Sequence, residues 1–147
     1  MYQRIMVATD GSPLSQKAVD SALALAAAFK AQVTAVSVVQ AYSYDYFEGA
    51  YPLSKEDVKT VESYWVDKAQ KLLDAAILSA ASKGVQIKTQ VLTANDVADA
   101  LVTAAHALDA DLIVMASHGR RGFDRLLHGS ETQEVLNHCK VPVLVLR

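Results

Sequence analysis

An open, five-stranded parallel α/β sheet with helices on both faces is the architecture this sequence predicts, and three observations carry the prediction. Five short apolar, β-branched runs alternate with four longer segments of helical period. Three of those runs are almost continuously apolar, as strands covered on both faces are. Each helical segment opens on a capping signal. The resulting order β-α-β-α-β-α-β-α-β, one helix per crossover, argues for parallel strands joined by right-handed connections. At 147 residues the chain is the size of one domain, 1–147, able to bury a core without a metal or disulfide staple.

The first strand is Ile5-Met6-Val7-Ala8. Ser12 before Pro13 is an N-cap with proline at the first helical position, and apolar residues at 19, 22, 23, 26 and 29 give the first helix a buried stripe. Val33 to Val39 forms the second strand. Residues 40 to 53 are the longest irregular segment and carry Tyr42, Tyr44, Tyr46, Phe47 and Tyr51. This aromatic run, 42–51, suits a cover over a crevice, a patch meeting another chain, or a loop folded onto the second helix near Tyr64 and Trp65. Ser54-Lys55-Glu56-Asp57 opens that helix, and Gly84 is the residue type that ends one. Val85 to Leu92 alternates apolar and polar, which places it at a sheet edge. The first run, Leu112 to Met115 and Val141 to Leu146 read as strands buried on both faces. Asn95 is the expected cap of a third helix, with Val97, Leu101, Ala105 and Leu108 at helical spacing. Ser130, with Gln133 three residues on, makes a capping box for the fourth.

Composition narrows the function. A formal net charge of -2 offers no global basic field for nucleic acid or an anionic membrane, so neither is expected as a partner. Cys139 is the one cysteine; it excludes an internal disulfide or CxxC site, suits a reducing cytoplasm, and reads as a small packed hydrophobe. The opening MYQRIMVATDGS has too few apolar residues for a signal-peptide core or a membrane span, so a soluble cytoplasmic protein is expected. There is no GxxxxGK[ST], and the first strand runs into ATDGSP rather than GxGxxG. Neither GxSxG nor HExxH occurs. The third strand ends Val91-Leu92-Thr93, without the acidic group of a phosphoacceptor receiver. His106, His128 and His138 read as structural, His138 at a helix end where a histidine suits the dipole.

In a sheet of this kind a ligand sits beyond the carboxyl ends of the strands, where chain direction reverses. Three loops therefore matter: Thr9-Asp10-Gly11-Ser12, 40–53 and 116–129. Gly119, Gly122 and Gly129 let backbone amides approach a ligand, and the fourth helix begins where Gly129-Ser130 ends, offering an anion its N-terminus. Arg120, Arg121 and Arg125 add local charge, though arginines on loops are commonly solvated.

Val7-Ala8-Thr9-Asp10-Gly11-Ser12, then Ala116-Ser117-His118-Gly119, nine residues, Gly129-Ser130, and finally Val141-Pro142-Val143-Leu144-Val145 together resemble the universal stress protein family over essentially the whole chain. The family's nucleotide-binding members carry G-x2-G-x9-G-[ST]; here Ala116 stands at the first glycine. The resemblance implies an adenine nucleotide α-hydrolase-like, Rossmann-like sheet of order 3-2-1-4-5. It implies ATP, or AMP or ADP, as ligand, with Mg²⁺ through the phosphates. Asp10 would lie near ribose or the phosphate-bound metal. The Val38 backbone would recognise adenine, beside a wall of Ala8 and Thr9 and the apolar lining of Met115. Gly119, Gly129 and Ser130 would hold the phosphates, Thr132 would add a hydroxyl donor, and His118 and Arg120 would stand next to them. Glu131 suits the helix dipole but repels a triphosphate if it points inward.

The resemblance also implies a homodimer through the last strand, 142–147, whose apolar edge invites pairing with a second copy. With no positioned general base or Walker-type carboxylate pair, ATP hydrolysis is expected to be slow at most. The favoured function is a stress or energy-state responder that binds ATP. The alternative is a stress protein without nucleotide, acting as a homodimeric module for an unidentified protein partner. A ligase or nucleotidyl transferase of the wider group would need a second domain and SGGxDS or HxGH, and neither motif is present.

Overall fold

A computed structural model describes residues 1–42, 53–119 and 129–147. Nine elements follow one another: β1 (Arg4–Ala8), α1 (Pro13–Phe29), β2 (Gln32–Gln40), α2 (Lys55–Ser82), β3 (Ile87–Ala94), α3 (Val97–Ala107), β4 (Leu112–Ala116), α4 (Ser130–His138) and β5 (Val143–Leu146). The sheet order is β3-β2-β1-β4-β5, with every adjacent pair parallel, as expected from the sequence.

The period-two alternation of the central strands divides the core in two. Ile5, Val7, Val33, Ala35, Leu112 and Val114 face α1 and α2, where Val19, Leu23 and Leu73 fill the layer and Ala18, Ala22, Ala26, Ala76 and Ala80 let the helices come close. Met6, Val36, Ile113 and Met115 face α3 and α4 and pack on Leu101, Ala105 and Val135. β1 and β4 are therefore wrapped on both sides, which holds the loops above them on a rigid base.

Helix starts follow side-chain chemistry. Ser12 Oγ accepts from the Ser15 amide at 3.2 Å, with Pro13 next in line. Ser54 and Asp57 form a reciprocal capping box. Gly84, at φ 66°, turns the chain after α2. Two caps differ from the sequence reading. Asp96, not Asn95, caps α3, because its carboxylate accepts from the Asp99 amide at 2.9 Å. Gly129, not Ser130, is the cap of α4; Ser130 is already helical and no side chain caps that end.

Other boundaries shift for local reasons. β3 begins at Ile87 rather than Val85, since the Val85 amide still closes the α2 turn on Ala80 O at 3.0 Å. β5 begins at Val143, after Pro142, and lies at the sheet's end. The expectation that it is buried on both faces is corrected: Leu144 is 39% exposed and joins neither core layer. The α1 stripe stops at Ala26; Phe29 packs edge-on against Tyr2 at the surface. β3 is half-covered in alternation, as an edge strand should be. Among the described residues no helix is long and apolar enough to cross a membrane.

Leu73 is fully buried and Leu78, on the same helix, is 73% exposed. Leu73→Ala is expected to lower stability by about 2–5 kcal/mol in urea unfolding, and Leu78→Ala to change it by no more than about 0.5 kcal/mol.

Candidate functional site

The strand order places β1 between β2 and β4, and the chain reaches the two neighbours by crossovers on opposite faces. In a sheet of this order a ligand crevice is expected beyond the carboxyl end of β1. β2 and β4 stand about 10 Å apart across it, two interstrand spacings.

The loop after β1 is held by its own polar groups. Thr9 is buried; its amide donates to Val36 O at 3.0 Å and its hydroxyl lies 3.1 Å from Ser15 Oγ. Asp10 Oδ1 accepts from the Ser12 amide at 2.9 Å, which sets the carboxylate back over the turn. The loop after β4 then closes on it. A Cβ at position 119 would stand 2.5 Å from Asp10 Oδ2, so glycine lets the two loops meet without displacing that carboxylate.

The loop's far end returns to the same place. The Gly129 amide donates to Ser117 O at 2.7 Å, and buried Thr132 Oγ1 lies 3.0 Å from Ala116 O and 3.2 Å from Ser117 O. A hydroxyl has one proton. Thr132's is directed to these carbonyls, so it fastens α4 to the end of β4. Glu131 and Ser130 are exposed, and Ser130 Oγ donates to Glu131 Oε2 at 3.2 Å. His118 is half-buried, with Nδ1 3.1 Å from Ser117 Oγ.

Ala116 is a strand residue paired with Leu146, and it is absent from the positive-φ positions of the described backbone. Alanine in place of glycine therefore imposes no backbone strain there. Ala8 ends β1 beside it, and Met115 is buried in the α3–α4 core.

Val38 lies two residues before the end of β2, which runs on to Gln40 rather than ending near Val38. The β1–β2 ladder finishes with Ala8 opposite Val36 and the Thr9 amide on Val36 O. Along a strand, residues two apart direct their backbone groups to the same neighbour. The amide and carbonyl of Val38 thus face the β1 side, beyond the last bond to β1 and toward the crevice.

The structure accordingly gathers Ala8, Thr9, Asp10, Val38, Met115, Ala116, His118, Gly119, Gly129, Ser130, Glu131 and Thr132 around the carboxyl ends of β1, β2 and β4. Arg120 lies outside the described residues, as do Arg121, Arg125, His128 and residues 43–52 of the aromatic run. Ser117 was not singled out from sequence, yet its carbonyl holds both Gly129 and Thr132. A backbone acceptor carries no side-chain signal by which sequence reasoning finds it. Among the described residues no group of three or more His, Cys, Asp or Glu is placed to hold a metal. The strand ends opposite this site are tied separately by Asp111, which accepts from the amides of Gln3 and Arg4 at 2.8 and 3.0 Å.

Comparison with known proteins agrees with this geometry. The model of the universal stress protein family matches residues 1–147. A universal stress protein of Methanocaldococcus jannaschii is 33% identical over the whole of this chain and 83% of its own. The solved UspA of Lactobacillus plantarum superposes with a TM-score of 0.87 at 24% identity, over 99% of this chain and 98% of that one. A universal stress protein solved in complex with cAMP superposes with a TM-score of 0.73 at 29% identity, over 99% and 97% of the two chains.

Thr132→Val keeps the shape and removes the proton that fastens α4. It is expected to lower stability by about 1–3 kcal/mol in urea unfolding, the range for a buried acceptor left unsatisfied.

Proposed function

The chain belongs to the universal stress protein family, and on that premise we propose that it binds an adenine nucleotide in the crevice above β1 and acts as a stress or energy-state responder in the cytoplasm. The observation that carries this reading is the pairing of two features across the end of β1. On one side the Val38 amide and carbonyl face the crevice in the orientation that would read an adenine edge. On the other, the first turn of α4 begins without a side-chain cap, near the place where Gly119 of the β4 loop approaches Asp10 of the β1 loop. The cAMP-bound relative supports the same ligand class.

ATP is the fullest ligand of this site. Its adenine would meet Val38, with Ala8, Thr9 and Met115 as walls, and its phosphates would meet the amides of the Gly119 and Gly129 segments and the Ser130 hydroxyl. Mg²⁺ is commonly bound by one or two carboxylates together with substrate phosphates, and Asp10 is a carboxylate of that kind. The ion would neutralise phosphate charge as it arrived with the nucleotide. Binding, rather than turnover, is the activity we assign: the described residues near the crevice include no carboxylate pair arranged to activate a water, and ATP hydrolysis would be slow or partner-dependent.

We further propose a homodimer through 142–147. Leu144 is 39% exposed on an edge strand, and a second copy pairing there would cover it. A second reading, a dimeric protein-interaction module without nucleotide, is favoured by Glu131, whose carboxylate stands at the α4 terminus.

Protein purified without added ligand and denatured for mass analysis is expected to release an adenine nucleotide. Calorimetric titration with ATP and Mg²⁺ is expected to show binding that Gly129→Val weakens at least about tenfold, the effect of crowding one phosphate contact. No binding at millimolar nucleotide would favour the interaction module. Sedimentation is expected to give twice the 15.8 kDa chain mass, and Leu144→Lys to shift it toward the monomer by charging the edge.

A further inference from the structure

The first turn of α4 carries its own anion. Glu131 is the only acidic residue in that turn, and Gly129 brings no side-chain hydrogen bond to the cap. The Glu131 carboxylate turns back toward the start of the helix. Its Oε2 accepts from Ser130 Oγ at 3.2 Å and would stand 3.7 Å from a Cβ on Gly129. It makes no ion pair with another described residue; the salt bridge seen elsewhere joins Lys83, the C-cap of α2, to Asp20 of α1. A full negative charge therefore lies beside the positive end of the dipole that a phosphate would use.

We infer that Glu131 is a charge filter: the site takes adenine ligands whose phosphate charge is low or neutralised, and disfavours bare polyphosphate. The inference rests on the adenine-nucleotide reading and deepens it. Two ligands share the required chemistry, a nucleoside monophosphate and a polyphosphate carrying a divalent cation. Both bring less uncompensated charge to the carboxylate than free ATP does. Like charges a few ångströms apart at a half-solvated rim repel by enough to change affinity about tenfold. The Ser130 hydroxyl meets the carboxylate at 3.2 Å, and Gln at 131 would retain an acceptor for that hydroxyl.

The test is calorimetry on the intact protein and on Glu131→Gln and Glu134→Gln, with adenosine, AMP, ATP in EDTA, and ATP with Mg²⁺. Glu134 lies one turn further along the exposed side of α4 and controls for net charge. Glu131→Gln is expected to raise the ratio of bare-ATP to adenosine affinity about tenfold, and the AMP and Mg-ATP ratios by less than about threefold. Glu134→Gln is expected to leave all ratios unchanged. Whichever of AMP and Mg-ATP binds the unaltered protein more tightly identifies the occupant. An unchanged bare-ATP ratio in Glu131→Gln, or an equal rise in Glu134→Gln, overturns the filter. If none of the four ligands binds any of the proteins, the adenine-nucleotide reading itself falls, and the filter with it.

Discussion

β1 pairs in parallel with β2 on one side and β4 on the other, and a parallel neighbour can be reached only through a crossover long enough to hold a helix. Covering both faces of that central strand puts α1 and α2 on one side and α3 and α4 on the other. Two apolar layers result, each built from alternate residues of the same strands. The same pairing puts the position where a ligand crevice is expected beyond the carboxyl end of β1.

Above that strand the two loops depend on backbone acceptors. Ser117 O receives the Gly129 amide and lies within reach of the Thr132 hydroxyl, so the chain that leaves β4 at Ala116 is brought back to it at the start of α4. Gly119 lies against Asp10, joining the β4 loop to the β1 loop. These contacts are internal to the fold. They make glycine at 119 the residue that fits against the Asp10 carboxylate as it stands, and they set the α4 terminus beside the end of β4.

Much of the architecture was legible because burial on two faces leaves a plain mark. Ile5 to Val7 and Leu112 to Met115 are apolar without a break, whereas β3 alternates, and these patterns separate central strands from an edge. β5 misled because its run Val143-Leu144-Val145-Leu146 is as apolar as a central strand while the single chain pairs it on one side only. Caps were legible to within a residue: Asn95 and Asp96 are equally suitable types, and only the reach of one carboxylate to the Asp99 amide separates them. At the site, residue type drew attention to the glycines, Asp10, Ser130 and Thr132, but not to the contacts the two hydroxyls make within the chain. Both hydroxyls are turned to partners within the chain, and Ser117 works through its main chain alone.

The proposed ligand site is the crevice above β1, with Val38 and the α4 terminus at its two ends. Backbone amide NMR during titration with AMP tests it most directly. Shifts are expected at Thr9–Ser12, Val38, Ser117–Gly119 and Gly129–Thr132, with Gln3, Arg4 and Asp111 at the opposite strand ends unmoved. Saturable shifts confined to those opposite ends, or to the outer face of α2 around Tyr64, would contradict it.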